Sequence, residues 1–158
     1  MDTRSAPGSD PTTRRAERVA AIDTWRRLLV FQRRSMNELD DELRAERGLD
    51  LEEYDVLLHL TEAGRDGLRM GEIADRALLA RSSCTRVVDR LERGGLVERA
   101  HEPQDRRMVR VLLTADGRAA QRRAAAVHVR GIERRFSSRL SPEDLVDLRR
   151  VLTRLEES

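Results

Sequence analysis

The apolar residues in the first third of the chain recur at helical spacing. From about residue 16 to residue 47 they lie three, four or seven positions apart, which predicts one long amphipathic helix that ends at Gly48. Its apolar positions are Val19, Ile22, Trp25, Leu29, Met36, Leu39 and Leu43. Residues 1–15 mix Pro, Gly, Ser and Thr with charges and offer almost nothing to bury, so they are predicted to form a flexible tail.

Three shorter helices are predicted to follow. The first covers residues 51–63, and a turn bracketed by Gly64 and Gly67 leads to the second, over residues 70–78. A tight connection then leads to the third, Arg81–Arg93, as in a helix-turn-helix. The residues predicted to face the core are Tyr54, Leu57, Leu58, Leu60, Ile73, Ala74, Ala77, Leu78, Val87, Val88 and Leu91.

After the third helix the apolar residues alternate with period two. Gly94 and Gly95 end the helix, because glycine accepts the left-handed backbone conformation without steric cost. Residues 96–101 and 108–113 are then predicted to be short strands. The polar residues 102–107 between them have the length of a hairpin turn.

Two more helices are predicted at the end of the chain. Thr114 can cap a long helix over residues 115–139. Ser141 is a typical N-cap and Pro142 suits the first helical position, with acidic residues in the turn that follows. The apolar positions of this last helix are Leu145, Leu148, Leu152 and Leu155.

This order of elements predicts a mainly α fold with a small β-hairpin. Residues 51–113 would form a winged helix-turn-helix core. Residues 16–47 and 115–157 would form N- and C-terminal dimerisation helices, because their apolar stripes exceed what a small central unit can cover. Residues 16–158 would then be a single domain that pairs with a second copy of the chain.

Composition narrows the class of protein. Hydrophobic residues make up 39% and charged residues 38%, and no apolar run approaches the ~20 residues that span a bilayer, so a soluble, cytoplasmic protein with no membrane partner is expected. The three histidines lack ligand spacing and Cys84 is the only cysteine, so neither metal nor cofactor is predicted. The absence of a phosphate-binding glycine loop and of a nucleophile elbow argues against an enzyme.

The helix Arg81–Arg93 carries a face suited to DNA. Opposite its apolar stripe lie Ser82, Thr85, Arg86, Asp89 and Arg93, with Ser83 and Arg90 beside them. Small hydroxyl groups near the helix start permit close approach, and Arg86 can reach a guanine edge or a phosphate. Residues 80–93 hold four arginines against one Asp and one Glu, and since the chain has no lysine, every cation is a forked guanidinium.

The predicted hairpin strengthens the DNA interpretation. Asp105 can accept hydrogen bonds that hold the turn, while Arg106 or Arg107 projects from its tip. An arginine inserted in a narrow minor groove benefits from the negative potential there. An ordinary charged loop is the alternative, but the position after a helix-turn-helix favours a wing.

These segments together resemble the MarR family of bacterial regulators over about residues 20–155. The residues that carry the resemblance are Leu51, Tyr54-Asp55-Val56-Leu57, Ser82, Thr85-Arg86-Val87-Val88-Asp89-Arg90-Leu91-Glu92, Gly94-Gly95-Leu96-Val97, Asp105-Arg106-Arg107, Val111 and Leu113-Thr114. The resemblance implies a homodimer in which the first and last helices interlock and two winged helices bind a near-palindromic site on double-stranded DNA.

The resemblance also implies roles for individual residues. Arg86 would lie on the DNA-facing helix, Arg107 would enter the minor groove, and Asp105 would brace the wing. Secondary contacts or structural supports would be Arg81, Arg90 and Arg106. Relatives bind small aromatic or anionic effectors between the dimer helices and the winged helix. Trp25 and His59 are the candidates for such a pocket here, with plain core packing as the alternative for Trp25.

The starts of two helices depart from the family pattern, and the recognition helix contains a cysteine. Family members often have Ser or Thr just before the recognition helix, where this chain has Ala80, and the preceding helix begins near Gly71 rather than a hydroxyl residue. Cys84 lies inside the recognition helix, where it is either a redox-sensitive site or, more simply, a small buried filler.

The expected function is a sequence-specific transcriptional regulator, acting as a repressor that a small-molecule effector releases. One alternative is a protein-binding winged-helix adaptor, for which a neutral or acidic DNA-facing helix would be expected. The other is an architectural DNA binder of low specificity, which sensitivity to base mismatches would distinguish from a regulator.

Overall fold

The computed structural model describes residues 10–102 and 105–157, except for the side chains of residue 102 and residues 105–108. The helices are α1 (Pro11–Arg47), α2 (Leu51–Ala63), α3 (Met70–Arg76), α4 (Arg81–Arg93), α5 (Ala115–Arg135) and α6 (Pro142–Glu156). The strands are β1 (Leu68–Arg69), β2 (Val97–Glu102) and β3 (Asp105–Leu113), and short 3₁₀ turns lie at Gly64–Asp66 and Ser137–Arg139. This mainly helical winged-helix architecture with a small antiparallel sheet confirms the predicted fold class.

The chain divides into two compact units within α1, between Asn37 and Glu38. In the first unit, α1 begins at Pro11, so the structure corrects the expected tail at residues 11–15, which are helical. Proline is favoured at the first helical position because its φ is already close to the helical value and its missing N–H has no helical partner to lose. Residues 1–9 lie outside the described part of the chain.

The core of the second unit is formed by the C-terminal part of α1, α2, α3, α4, the sheet and α5. Its largest fully buried side chains are Leu43, Leu57, Leu60, Ile73, Leu91, Val56, Val87, Val88, Val97, Val111, Val127 and Cys84. Most of the residues predicted to face the core are therefore confirmed, and Cys84 is the small buried filler. Burial raises the pKa of the Cys84 thiol, which keeps it in its unreactive protonated form.

The C-terminal part of α1 is tied to α5 by ion pairs within the second unit. Glu42 accepts hydrogen bonds from Arg134 (2.7 Å) and from Arg135 (2.6 Å), one helical turn from the Glu38–Arg135 pair at 2.6 Å. The pair between Glu46 and Arg130 extends this ladder. The hydrogen bond from Arg135 lowers the pKa of the Glu42 carboxyl, so this contribution to stability is lost as the pH falls through the lowered value.

The sheet has one strand that the sequence pattern did not predict. β1 contains only two residues, Leu68 and Arg69, which pair with Val111 and Arg110 of β3, and the strand order is β1-β3-β2. Two residues are too few to show an alternating pattern, and only their pairing with β3 defines them as a strand.

The structure also corrects the expected hairpin turn over residues 102–107. β2 extends through Glu102 and β3 begins at Asp105, with these two residues paired. The turn is shorter than predicted because antiparallel backbone hydrogen bonds form whether the side chains are polar or apolar. Residues 103 and 104 lie outside the described part of the chain.

The connection between α3 and α4 differs from the expected helix over residues 70–78. α3 ends at Arg76, and Leu78 adopts a left-handed backbone (φ 53°) with its side chain 91% exposed, so its predicted place in the core is wrong. Leu79 N–H donates to the Ala74 carbonyl (2.9 Å) and Leu78 N–H to that of Asp75 (3.4 Å). This is the Schellman arrangement, in which the left-handed position is usually glycine.

The helices at the end of the chain follow the predicted caps more closely. Thr114 caps α5 by accepting from Gly117 N–H, but α5 ends at Arg135 rather than at the predicted residue 139. Ser141 caps α6, accepting from Asp144 N–H, and Pro142 occupies the first position as predicted. None of the described helices is long and apolar enough to cross a membrane.

The strain at Leu78 leads to a prediction about stability. Replacing it by glycine (Leu78→Gly) should stabilise the fold by about 1 kcal/mol, because a side chain in the left-handed region costs roughly 1–2 kcal/mol and glycine's greater unfolded-state entropy offsets only part of the gain. Urea denaturation would measure the difference. Leu78→Ala keeps a Cβ in the same conformation and should show little gain. A glycine variant no more stable than the alanine variant would contradict the argument.

Candidate nucleic-acid interface

The helix α4, which the sequence predicts to bind DNA, has one buried face and one exposed face. Its buried residues are Cys84, Val87, Val88 and Leu91, which pack in the core of the second unit. Its exposed residues are Arg81, Ser82, Thr85, Arg86 and Arg93, and we call this set the exposed face of α4. Ser83, Asp89 and Arg90 are half-buried beside it. The division agrees with the two predicted faces except that Arg81 is exposed as well and Asp89, predicted to face outward, is half-buried.

The start of α4 has no side-chain cap. Ala80 occupies the N-cap position, and no side-chain cap hydrogen bond is present among the described residues, so neither Ser82 nor Ser83 takes the place of the missing hydroxyl. Arg86 instead donates from Nη2 to the Ser83 hydroxyl (3.2 Å), which holds the guanidinium along the exposed face. Uncapped first-turn N–H groups are suited to hydrogen bonding with an anion such as a phosphate.

The two acidic residues of α4 both form ion pairs with one arginine of the hairpin. Arg99 on β2 donates from Nη2 to Asp89 (2.6 Å) and from Nη1 to Glu92, and its backbone N–H donates to Glu92 (3.2 Å). No pattern in the sequence marks Arg99 as functional, because only the fold brings this strand position against the helix. The contact ties the strand leading into the hairpin to α4.

The remaining charges of α4 separate into a paired and an unpaired group. Arg90 donates to Asp50 (2.7 Å) and to Glu53 (2.8 Å) of the second unit. Among the described residues, no carboxylate forms an ion pair with Arg81, Arg86 or Arg93. The exposed face itself therefore carries three arginines and no acidic residue, since Asp89 and Glu92 bond to Arg99 and Arg90 bonds to Asp50 and Glu53.

The predicted wing residues Asp105, Arg106 and Arg107 lie at the start of β3. Their side chains are outside the described part of the structure, so their roles stay predictions. Farther along β3, Arg110 donates from Nη1 towards the carbonyls of Asp66 and Gly67, each at 3.4 Å. This contact, which no sequence signal indicated, ties the base of the hairpin to the turn after α2.

The two effector candidates belong to different units. Trp25 lies in the first unit on α1, with its side chain exposed. His59 lies on α2 in the second unit, with Nδ1 3.2 Å from a carboxylate oxygen of Glu62. Their role in binding an effector stays a prediction.

Comparison with known proteins agrees with this arrangement. A family model described as MarR family matches residues 47–108. The chain is 29% identical over 123 residues to the HTH-type transcriptional repressor YetL of Bacillus subtilis, covering 75% of this chain and 74% of that protein. Such relatives are transcriptional regulators, which confirms the prediction that the chain is not an enzyme.

Solved structures show the same fold with higher sequence identity. AbsC, a MarR family transcriptional regulator from Streptomyces coelicolor, is 31% identical with a TM-score of 0.78, covering 85% of this chain and 90% of AbsC. Sco3205, a MarR family regulator from the same organism solved in complex with DNA, is 32% identical with a TM-score of 0.79, covering 85% and 84%. With its helix-turn-helix, its hairpin and its cationic α4, the chain belongs to the MarR family of DNA-binding transcriptional regulators.

Proposed function

We propose that the protein is a homodimeric repressor that binds a near-palindromic operator and is released by a small aromatic or anionic effector. The observation that carries the proposal is the exposed face of α4, on which three arginines have no acidic partner among the described residues. Such a face meets the phosphates and guanine edges of a major groove with complementary charge. The adaptor alternative, for which a neutral or acidic face is expected, is disfavoured by the same observation.

Relatives support the regulatory part of the proposal. YetL is named a transcriptional repressor, and Sco3205 was solved with DNA bound. Repression would follow from occupancy, with two copies of α4 in successive major grooves and the hairpins over the flanking minor grooves. Because a protein acting in this way works where the chromosome is, we expect it in the cytoplasm.

The proposed contacts divide between the helix and the hairpin. Arg86 would contact a base edge or a phosphate, and Arg107 would enter the minor groove, with Asp105 bracing the hairpin. Further contacts would come from Arg81, Ser82, Ser83, Thr85 and Arg106. Arg90 differs from these residues, because it donates hydrogen bonds to Glu53 and Asp50 within the protein.

Exposed apolar residues support the proposed dimer. In the first unit, α1 exposes Val19, Ile22, Trp25, Leu28, Leu29 and Met36. In the second unit, α6 has no buried residue, and a groove of about 330 Å³ is lined by Phe136, Leu145, Leu148 and Leu152 among others. Apolar surface of this extent on a regulatory protein marks an interaction site. A second copy of the chain would cover it.

An effector would act by binding one dimer conformation more tightly than the other. Only such a difference in affinity can shift the spacing of the two α4 helices and release the DNA. Trp25 and His59 are the proposed effector-binding residues, in keeping with the family resemblance.

The first test is a fluorescence-anisotropy titration with the intergenic DNA upstream of the protein's own gene and a shuffled duplex of equal composition. Binding to the native duplex should be at least a hundredfold tighter, because specific sites typically exceed non-specific ones by roughly 10³–10⁷. Equal, salt-sensitive binding to both duplexes would indicate an architectural protein. No binding to either at low salt would favour the adaptor.

A second test removes single arginines from the proposed surface. Arg86→Ala and Arg107→Ala should each weaken operator binding by about 1–3 kcal/mol while the fold persists, because each deletes a charge-assisted contact to DNA. Arg122→Ala removes the same charge from an exposed position on α5 and serves as the control. If Arg86→Ala binds like the control, the assignment of α4 is wrong, and the same result for Arg107→Ala rejects the wing.

A third test concerns the dimer. Leu152→Asp places a charge in the apolar groove of α6 and should halve the mass measured by light scattering, because burying an unpaired carboxylate at an interface is costly. Arg150→Asp adds an acid to the same helix outside the groove and should stay dimeric. An unchanged mass for Leu152→Asp would exclude this helix from the interface.

A further inference from the structure

The start of α2 is closed by a reciprocal pair of hydrogen bonds. Asp50 Oδ1 accepts from Glu53 N–H (2.7 Å), and Glu53 Oε2 accepts from Asp50 N–H (3.0 Å), which forms a capping box. Both carboxylates are nearly buried, with side chains 10% and 12% exposed. Each uses only one of its two oxygens for the cap, so each keeps an oxygen for another donor.

Arg90 of α4 occupies both of these remaining oxygens. Its Nη2 donates to Asp50 Oδ2 (2.7 Å) and its Nε donates to Glu53 Oε1 (2.8 Å). The hydrogen bond that Arg90 donates to Glu53 raises the pKa of Arg90 above its ordinary value. A single guanidinium therefore bonds to both residues of the cap, using two of its nitrogens at fixed positions on one planar group.

The same cap is linked to the C-terminal part of α1. Asp40 accepts from Leu51 N–H (2.8 Å) through Oδ1 and from Arg44 Nε (2.7 Å) through Oδ2. Arg44 also lies 3.5 Å from Asp50 Oδ2. The cap is thus a junction of three helices, and Arg90 is the residue by which α4 joins it.

We infer that Arg90 is a positioning residue, which sets the orientation of α4 for DNA through the Asp50–Glu53 capping box rather than by touching DNA. The inference rests on the proposed function of α4 and deepens it. The polar donors of Arg90 that make hydrogen bonds point to buried acids, away from the exposed face. On the opposite side Arg99 holds Asp89 and Glu92, so α4 is held by ion pairs on both flanks of its exposed face.

The direction in which a change at Glu53 shifts DNA affinity distinguishes a positioning role of Arg90 from a direct contact with DNA. Removing a carboxylate near DNA should strengthen binding through charge alone. In Glu53→Gln, an amide NH₂ replaces one of the two acceptor oxygens and faces either the Asp50 N–H or Arg90 Nε, donor against donor, so the link between the cap and α4 is weakened. The variant should therefore bind the operator about tenfold more weakly, against the electrostatic trend. Glu52→Gln removes the same charge from an exposed neighbour without that hydrogen bond and should bind at least as tightly as the native chain.

Variants of Arg90 provide a second test of the positioning role by DNA-binding titration. Arg90→Lys keeps the positive charge but cannot fork onto both carboxylates, so it should lose affinity like Glu53→Gln. The slope of log affinity against log salt should stay at the native value in Arg90→Gln, whereas loss of a phosphate contact would reduce it by about one. The double variant Glu53→Gln/Arg90→Lys should lose little more than either single one, because both remove the same link.

All titrations use the native operator at a temperature where circular dichroism shows every variant fully folded. The inference is overturned if Glu53→Gln binds as tightly as Glu52→Gln, if Arg90→Lys keeps native affinity, or if Arg90→Gln lowers the salt slope. A native chain that binds no operator rejects the proposed function and the inference with it. Native binding with unaffected variants rejects the inference alone, so the two failures are distinguishable.

Discussion

The placement of α4 depends on the burial of one narrow stripe of its side chains. Cys84, Val87, Val88 and Leu91 are almost completely inaccessible in the core of the second unit. Because a helix turns by about 100° per residue, burying this stripe leaves Arg81, Ser82, Thr85, Arg86 and Arg93 facing outward. The surface proposed to read DNA is thus a direct consequence of how α4 packs.

Ion pairs fix the orientation of α4 more closely than hydrophobic packing alone. Packing alone allows a helix to shift along or rotate about its axis, whereas hydrogen-bonded ion pairs specify particular atoms. Arg90 joins α4 to the start of α2, and Arg99 joins it to the hairpin. Because Asp89 and Glu92 form ion pairs with Arg99, they do not pair with the outward arginines. Orientation and surface potential therefore arise from one set of contacts.

Much of the architecture could be predicted from the sequence because the signals were local. The bounds of α2 and α4, the caps at Thr114 and Ser141, and most of the buried stripe follow from periodicity and N-cap chemistry. Prediction failed where a non-local contact or a rare conformation decides. β1 exists only through its pairing with β3, and Leu78 occupies a left-handed position that sequence statistics reserve for glycine.

The candidate site shows the same division. The sequence by itself determined which residues of α4 could face outward and that a hairpin follows it, since helical and strand periods are properties of neighbouring residues. Only the tertiary structure decided that Arg90 bonds to Asp50 and Glu53 and that Arg99 pairs with both acids of α4. These partners lie 7 to 40 positions apart in the chain, and no periodicity brings them together. Sequence spacing shows where a charge can point, but folding decides which opposite charge it meets.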